Sequence, residues 1–371
     1  MTVLLAAVFT LNALGAFGGE SVGQIMYLEG EQRIVRDDTV LVTEDIFIGV
    51  EVENFDFIHT GDDGLVEFQI TLGKQGPIVK VLPDTQFYVE ILKLGGKPVT
   101  TLGMLGGNIA AKVQKLTNDT PFRVKTDTLV MGVRGTSFTV SSPPGGEVLI
   151  TCEEGEVECT DTEGRVLAAK PGAVVEQRPG EVLRAIPVAV SDIATFRENW
   201  YTLKIDAIKA NALKATRDFA PRYNRLHDVF TEAFDALMRV ETVEKWISED
   251  KQGIVGSKIS IMREKKAVIG LLLEIRRVLF VFERVYFRLL ELSDYHEQGH
   301  GVGYVSPGTT TASFFADLAA ESAVLDGKMR LVRYVVKLYV IRNDGTFPLD
   351  WSSAPSDVDF FGDDFEWSVG D

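Results

Sequence analysis

Positive charge is what this chain is short of. Its 38 Lys and Arg face 54 Asp and Glu, giving a formal net charge of −16 and a pI near 4.8. Phosphate backbones call for basic patches, so the balance argues against nucleic acid as a partner. Solubility accounts for the same acidity without any partner. A membrane span is missing too. Residues 3–14 are apolar but too few to cross a bilayer. The most apolar later stretch is interrupted by Glu274, Arg276, Arg277, Glu283, Arg284 and Arg288, which argues against a second candidate. No lipobox cysteine follows the N-terminal run and no basic segment precedes it.

The composition that remains, 45% hydrophobic and 25% charged over 371 residues, is globular and long enough for two domains. Small residues at Ala13-Leu14-Gly15 and Ala16-Phe17-Gly18 offer two cleavage sites, so residues 1–18 are read as a secretory signal and the mature chain as periplasmic or secreted. A buried N-terminal strand or helix is the alternative. Cys152 and Cys159 flank Glu153-Glu154-Gly155-Glu156-Val157-Glu158, which has the look of a hairpin. A two-residue turn at Gly155-Glu156 sets the cysteines opposite each other, within disulfide reach; a turn at Glu154-Gly155 breaks that pairing. A disulfide suits an exported protein, and a metal pair is disfavoured with carboxylates as the only company.

From residue 22 to 187 the signals are all β. Short runs such as Ile46–Val50, Leu65–Thr71, Ile78–Leu82 and Phe87–Leu92 are separated by Gly, Asp and Pro. Such spacing predicts a sandwich or a β-solenoid-like stack. Gly95-Gly96-Lys97 and Gly103 to Asn108 could be phosphate cradles, but Pro98 follows the lysine and no helix pattern begins there, so they are read as turns. Phe122 and Val124, then Thr136, Phe138 and Val140, alternate with polar residues as two strands. Between them Gly132-Val133-Arg134-Gly135 reads as a structural corner, its arginine expected to be buried and to need carboxylates or carbonyls.

Thr126 to Val140 resembles the "TP-x-A-x-x-x-VRGT-x-F-x-V" run of FecR-type domains, with Asp127 in place of the usual Pro and Leu129 of the usual Ala. Further matches stand in order: Gly23 to Gly30, Phe57 to Phe68, Val81 to Thr85, Glu154 to Val157, and more loosely Pro171 to Val175. The resemblance implies an all-β domain over about residues 22–187. In it Gly132, Val133, Arg134, Gly135, Thr136 and Phe138 are structural. The family's namesake carries an uptake signal to a sigma factor across the inner membrane. Here no cytoplasmic head or membrane helix is seen ahead of the β domain, so the fold is carried over and the pathway is not.

After Ser191 the period changes to that of helices, as far as Asn343. Ile193, Phe196, Trp200, Leu203, Ala207 and Ala210 share one face; Pro221 is expected to break or restart the helix before Leu226, Val229 and Phe230. A third segment runs from about 258 to 297 and a fourth from about 313 to 342. Four amphipathic helices predict an antiparallel bundle over 191–343 and hence an α+β, two-domain chain. Residues 344–371 form an acidic tail with Phe360, Phe361, Phe365 and Trp367, read as a docking peptide or an unpacked terminus.

One motif points to catalysis. His296-Glu297-x-x-His300 is the zincin pattern, two imidazoles on one helical face beside a glutamate that activates zinc-bound water. Ser306 stands where a metzincin has its third histidine, which leaves Glu321 as the candidate third zinc ligand. Against it, Gly299, Gly301 and Gly303 look like a C-cap and loop, which takes His300 off the helix. Two functions follow. The first is a non-enzymatic envelope protein that makes protein–protein contacts as a scaffold or regulator, with no cofactor. The second is a zinc peptidase with Glu297 as base. An adhesin-like surface protein is a third, with no ligand named by the sequence.

Overall fold

The computed structural model describes residues 21–71, 76–114 and 121–348. The expected signal segment and the tail from residue 349 lie outside the described residues.

Strong β-formers in short alternating runs give strands β1 (Ser21–Glu29), β2 (Gln32–Arg36), β3 (Thr39–Leu41), β4 (Glu51–Glu53), β5 (Phe57–Thr60) and β6 (Leu65–Ile70). They continue through β7 (Ile78–Val81), β8 (Gln86–Leu94), β9 (Lys97–Lys112), β10 (Phe122–Lys125), β11 (Leu129–Val133) and β12 (Ser137–Ser142). The last are β13 (Val148–Glu154), β14 (Val157–Asp161), β15 (Val166–Ala169), β16 (Ala173–Gln177) and β17 (Arg184–Pro187). Two sheets face each other. One runs β4-β1-β6-β7-β9-β12-β13-β16-β17 and the other β3-β2-β5-β8-β9-β10-β11-β14-β15, with β9 common to both. Among the described residues every pairing between these strands is antiparallel except β9 with β10. Successive hairpins are laid alternately in the two sheets, so apolar residues of the first sheet such as Val66, Phe68, Ile70 and Phe138 meet Phe87 and Phe122 of the second in a closed core.

The glycines of β9 are not turn residues. Gly95-Gly96 is the tight turn into the strand, while Gly103 and Gly107 lie within it. A Cβ on Gly103 would sit 1.9 Å from Cζ of Tyr88, so the ring occupies the space a side chain would need. At Gly107 (φ +91°) the strand leaves the second sheet for the first, with Thr85 and Asp84 pressed against its Cα.

The helices are α1 (Ile193–Ala210), α2 (Ala212–Met238), α3 (Glu241–Lys251), α4 (Lys258–Glu297) and α5 (Thr311–Arg342). A two-stranded hairpin, β18 (Tyr304–Ser306) with β19 (Thr309–Thr310), joins the last two. The expected bundle forms from α2, α4 and α5, closed at one end by α3, a helix the periodicity did not single out. Helix α1 starts on the outer face of the first sheet, where Trp200 meets Leu149 and Val174 and donates to the Glu176 carboxylate at 2.7 Å, and its end reaches the bundle, with Ile208 in the helical core and Lys209 5.0 Å from the Tyr295 ring. Leu203, expected on its buried face, is exposed, because the buried stripe of α1 runs through Ile193, Trp200 and Ile208 instead. Pro221 does not break α2; the break falls at Asn211. An internal proline costs about 3 kcal/mol, and Phe219, Tyr223, Leu226 and Phe230 on both sides of it bury against α4, which offsets that loss. The outer face of the second sheet carries the bundle: Phe57, Tyr88, Leu92 and Leu105 belong to the helical core rather than the sandwich core.

Because Tyr88 is wedged over Gly103, Gly103→Ala should lower stability by about 2 kcal/mol or more, the upper range for overpacked cores. A urea midpoint that falls at unchanged slope would show it; an unchanged midpoint would contradict the packing described.

Candidate functional site

Strand β8 is buried on both faces. Phe87 and Val89 point into the sandwich, whereas Tyr88, Glu90 and Leu92 point out toward α4. An acid in that outward row must find a cation, since an unpaired buried charge is prohibitive. It finds Arg276, and the two side chains are only 2% and 4% exposed. The Phe347 ring covers the same guanidinium with its centroid 4.3 Å away.

One and two further steps of four-residue spacing along α4 reach Phe280 and Arg284, then Arg288, the stripe that i, i+4 geometry puts on one face. The Lys125 ammonium lies 4.6 Å from the Phe280 centroid. Asp127, in the turn between β10 and β11, accepts from Arg288 at 2.8 Å and lies 3.6 Å from Arg284. Burial pushes the Asp127 carboxyl up, but the two guanidinium groups outweigh it and hold the group below the usual carboxylate range. Asp127 is also where this chain departs from the FecR pattern, so the departure supplies the anchor for α4.

The seam continues on α5. Lys337 donates to Asp37 at 2.8 and 2.9 Å and to Glu53 at 3.0 Å, and Arg36 links Glu53 (3.0 Å) to Asp56 (2.6 Å). Within the bundle Glu283 pairs with Arg333, whose guanidinium lies 4.4 Å over the Phe57 ring. Most of these charges face one another across two layers, and Asp37 and Lys337 also line a cleft beside α3 and α5. Such pairs are worth little over apolar contacts when intact, but removing one partner is severe, so they fix a register. Glu291, where α4 passes α1 and the β7–β8 turn, has its carboxyl pushed up to about 8, chiefly by burial, with Asp84 adding and Arg288 opposing.

The residues singled out from the sequence fall elsewhere. Val133 and Phe138 are buried on either side of the corner, and Thr136 with them, where the chain steps from β11 in one sheet to β12 in the other. Arg134 is exposed at the tip of this step, against the expectation of a buried, paired guanidinium. The corner is shaped by its neighbour instead: a Cβ on Gly155 would lie 2.6 Å from the Gly135 carbonyl oxygen, so two sheet-to-sheet steps stack.

That stacking also undoes the cysteine hairpin. Strand β13 pairs with β12 and β16, and β14 with β11 and β15, so Cys152 stands opposite Phe138 and Cys159 opposite Met131 and Leu167. Both are free thiols in the sandwich core. Burial pushes Cys152 up to about 11 and Cys159 up to about 12.

Helix α4 ends at Glu297. The His300 N–H donates to Tyr295 O and the Gly299 N–H to His296 O, both at 2.9 Å, with Gly299 at φ +92°: a Schellman cap. His300 is therefore off the helix, and its carbonyl, not its ring, faces His296 Nδ1 at 3.4 Å. The His296 ring packs on Phe315. Glu321 lies with Tyr223 (3.4 Å) and His227 (3.6 Å). Among the described residues no group of three or more His, Cys, Asp or Glu is placed to hold a metal ion. The glycines that follow serve packing: Gly301 and Gly303 lie against Ala212 and Leu213, and Arg217 donates to Tyr304 O at 2.7 Å.

Compared with known proteins, residues 56–158 match the family model described as FecR protein, and the C-terminal helical region matches no family. No curated protein matches the chain. Two crystal structures of a protein assigned as an anti-sigma factor from Parabacteroides distasonis align at 16% and 17% identity, each with a TM-score of 0.31. Each alignment covers 38% of this chain and 64% or 62% of the other, so the chain spans less than two thirds of their length.

Replacing Asp127 by Ala removes the carboxylate that two buried guanidinium groups share and should cost about 3–5 kcal/mol, while Asp127→Ala combined with Arg284→Met and Arg288→Met should recover most of it. Denaturation of the variants checks this; a single variant within 1 kcal/mol of the parent would contradict the anchor (an exposed pair is worth about that much). A folded-state carboxyl raised toward 8 favours folding below its unfolded value and loses that contribution as pH climbs to 8. Glu291→Gln should accordingly flatten the fall in stability between pH 5 and 8 and leave the variant more stable than the parent at pH 8. An unaltered pH profile would refute it. Iodoacetamide should label neither cysteine until the chain is unfolded; labelling of the native protein would contradict the buried thiols.

Proposed function

We propose that this chain is a non-enzymatic regulatory or scaffold module of the cell envelope that works through protein–protein contacts. The observation that carries this reading is the seam. A FecR-matched sandwich and a helical region are locked in one orientation by Glu90–Arg276, Asp127–Arg284/Arg288 and Lys337–Asp37/Glu53. Charge is spent on holding two layers in register, as a presenting surface requires. The family match supports a regulatory role, and the apolar N-terminal run supports export; periplasmic or secreted location is part of the proposal. A face suited to a partner lies at the sandwich rim, where Phe47 and Ile48 project beside Met26 and Tyr27, all exposed.

The zincin reading is the competitor to be separated. Elemental analysis of the purified chain should find zinc well below one equivalent and unchanged by His296→Ala. Stoichiometric zinc that disappears with that substitution would overturn the proposal in favour of a metallopeptidase.

A further inference from the structure

The turn between α3 and α4 and the first turns of α4 expose apolar side chains to an unusual degree. Ile259 is 74% and Met262 72% exposed, with Ile254 and Val255 projecting beside them. Lys258, Arg263 and Lys266 are exposed on the same turns, and among the described residues none forms an ion pair. In a chain of net charge −16, three solvated cations around an apolar pair mark a surface that fits an acidic, apolar ligand.

Next to it opens a cleft of about 740 Å³, lined by Ile254, Val255 and Ile341, with Lys93 and Lys337 offset by Asp37, Asp250 and Asp344. The chain leaves the described structure from the wall of this cleft. The Lys93 N–H donates to Gly345 O at 2.8 Å, Phe347 is buried against Tyr339, and Lys265 reaches Asn343 at 2.7 Å, tying the basic end of α4 to the end of α5.

Beyond Pro348 the sequence continues to Asp371 with Asp350, Asp357, Asp359, Asp363, Asp364, Glu366 and Asp371 and with no Lys or Arg. Interleaved are Phe360, Phe361, Phe365 and Trp367. At about 3.3 Å per extended residue, the linker to these rings spans roughly 35 Å, ample for a face at its own root. Tethering raises the local concentration of such a segment to about millimolar. The other end of the chain is a poorer fit, because residues 1–19 contain no charged side chain for the cations to select.

We propose that residues 357–371 of this same chain dock on the apolar–basic face of the first turns of α4, their aromatic rings against Ile259, Met262, Ile254 and Val255 and their carboxylates against Lys258, Arg263 and Lys266.

The test uses the full chain with a photo-crosslinker, Met262→p-benzoylphenylalanine, and a control on the exposed face of α2, Val229→p-benzoylphenylalanine. Peptide mapping after irradiation should place adducts within residues 357–371 at least tenfold more often from position 262 than from 229. Replacing Phe360, Phe361, Phe365 and Trp367 together by Ser should reduce them at least fivefold. Mixing isotopically light and heavy chains tells the source of the tail: adducts within one chain are expected, while mixed-mass adducts would assign the face to a second copy and overturn the proposal. Equal yields from the two positions, or yields indifferent to loss of the four rings, would overturn it as well.

Discussion

Buried ion pairs between α4 and the second sheet are the constraint on which the rest depends. A β-sheet with one face on a sandwich core can leave the other face to water. This one does not: β8 carries Tyr88, Glu90 and Leu92 outward into the bundle. An acid there is tolerable only where Arg276 stands, and Asp127 only where Arg284 and Arg288 stand. These three arginines occupy one stripe of a 40-residue helix, so satisfying any of them fixes the helix along its length. The aromatic contacts, among them Phe57 on Phe287 with centroids 5.4 Å apart, supply burial without direction; the charges supply the register.

The described molecule is thus layered: the start of α1, the first sheet, the second sheet, and the bundle, which the end of α1 joins. Each helical layer meets the sandwich by a different device. Helix α1 is pinned by Trp200 to the Glu176 carboxylate and by Lys204 to Glu147 at 2.9 Å. The bundle shares a continuous apolar core with the second sheet. A covering on both faces leaves the sandwich few places at which to meet a partner, which concentrates attention on its rim and on the outward end of α4.

Much of this was legible in the residues. Period-two alternation located the strands, and the change of period after Ser191 located the helices, because both signals come from local geometry. The FecR-like run from Thr126 to Val140 pointed to a β fold for the same reason. What was not legible depended on which strand neighbours which. Glycine-rich β9 read as turns because only pairing shows that Tyr88 lies over Gly103. The cysteines read as a hairpin pair because nothing local says that β13 and β14 belong to different sheets. Arg134 was expected inside because apolar neighbours surround it in sequence, yet it sits on a step between layers. The seam did leave a trace: Glu90 within an apolar strand, and arginines at 276, 284 and 288 on one helical face. In sequence the arginines looked like interruptions and Glu90 passed without notice; they are complementary halves of one interface.

Differential scanning calorimetry of the whole chain at neutral pH tests the central claim most directly. If buried pairs and a shared core make sandwich and bundle one cooperative unit, a single transition should appear, with calorimetric and van't Hoff enthalpies in agreement. Two resolved transitions, one assignable to each half, would contradict it.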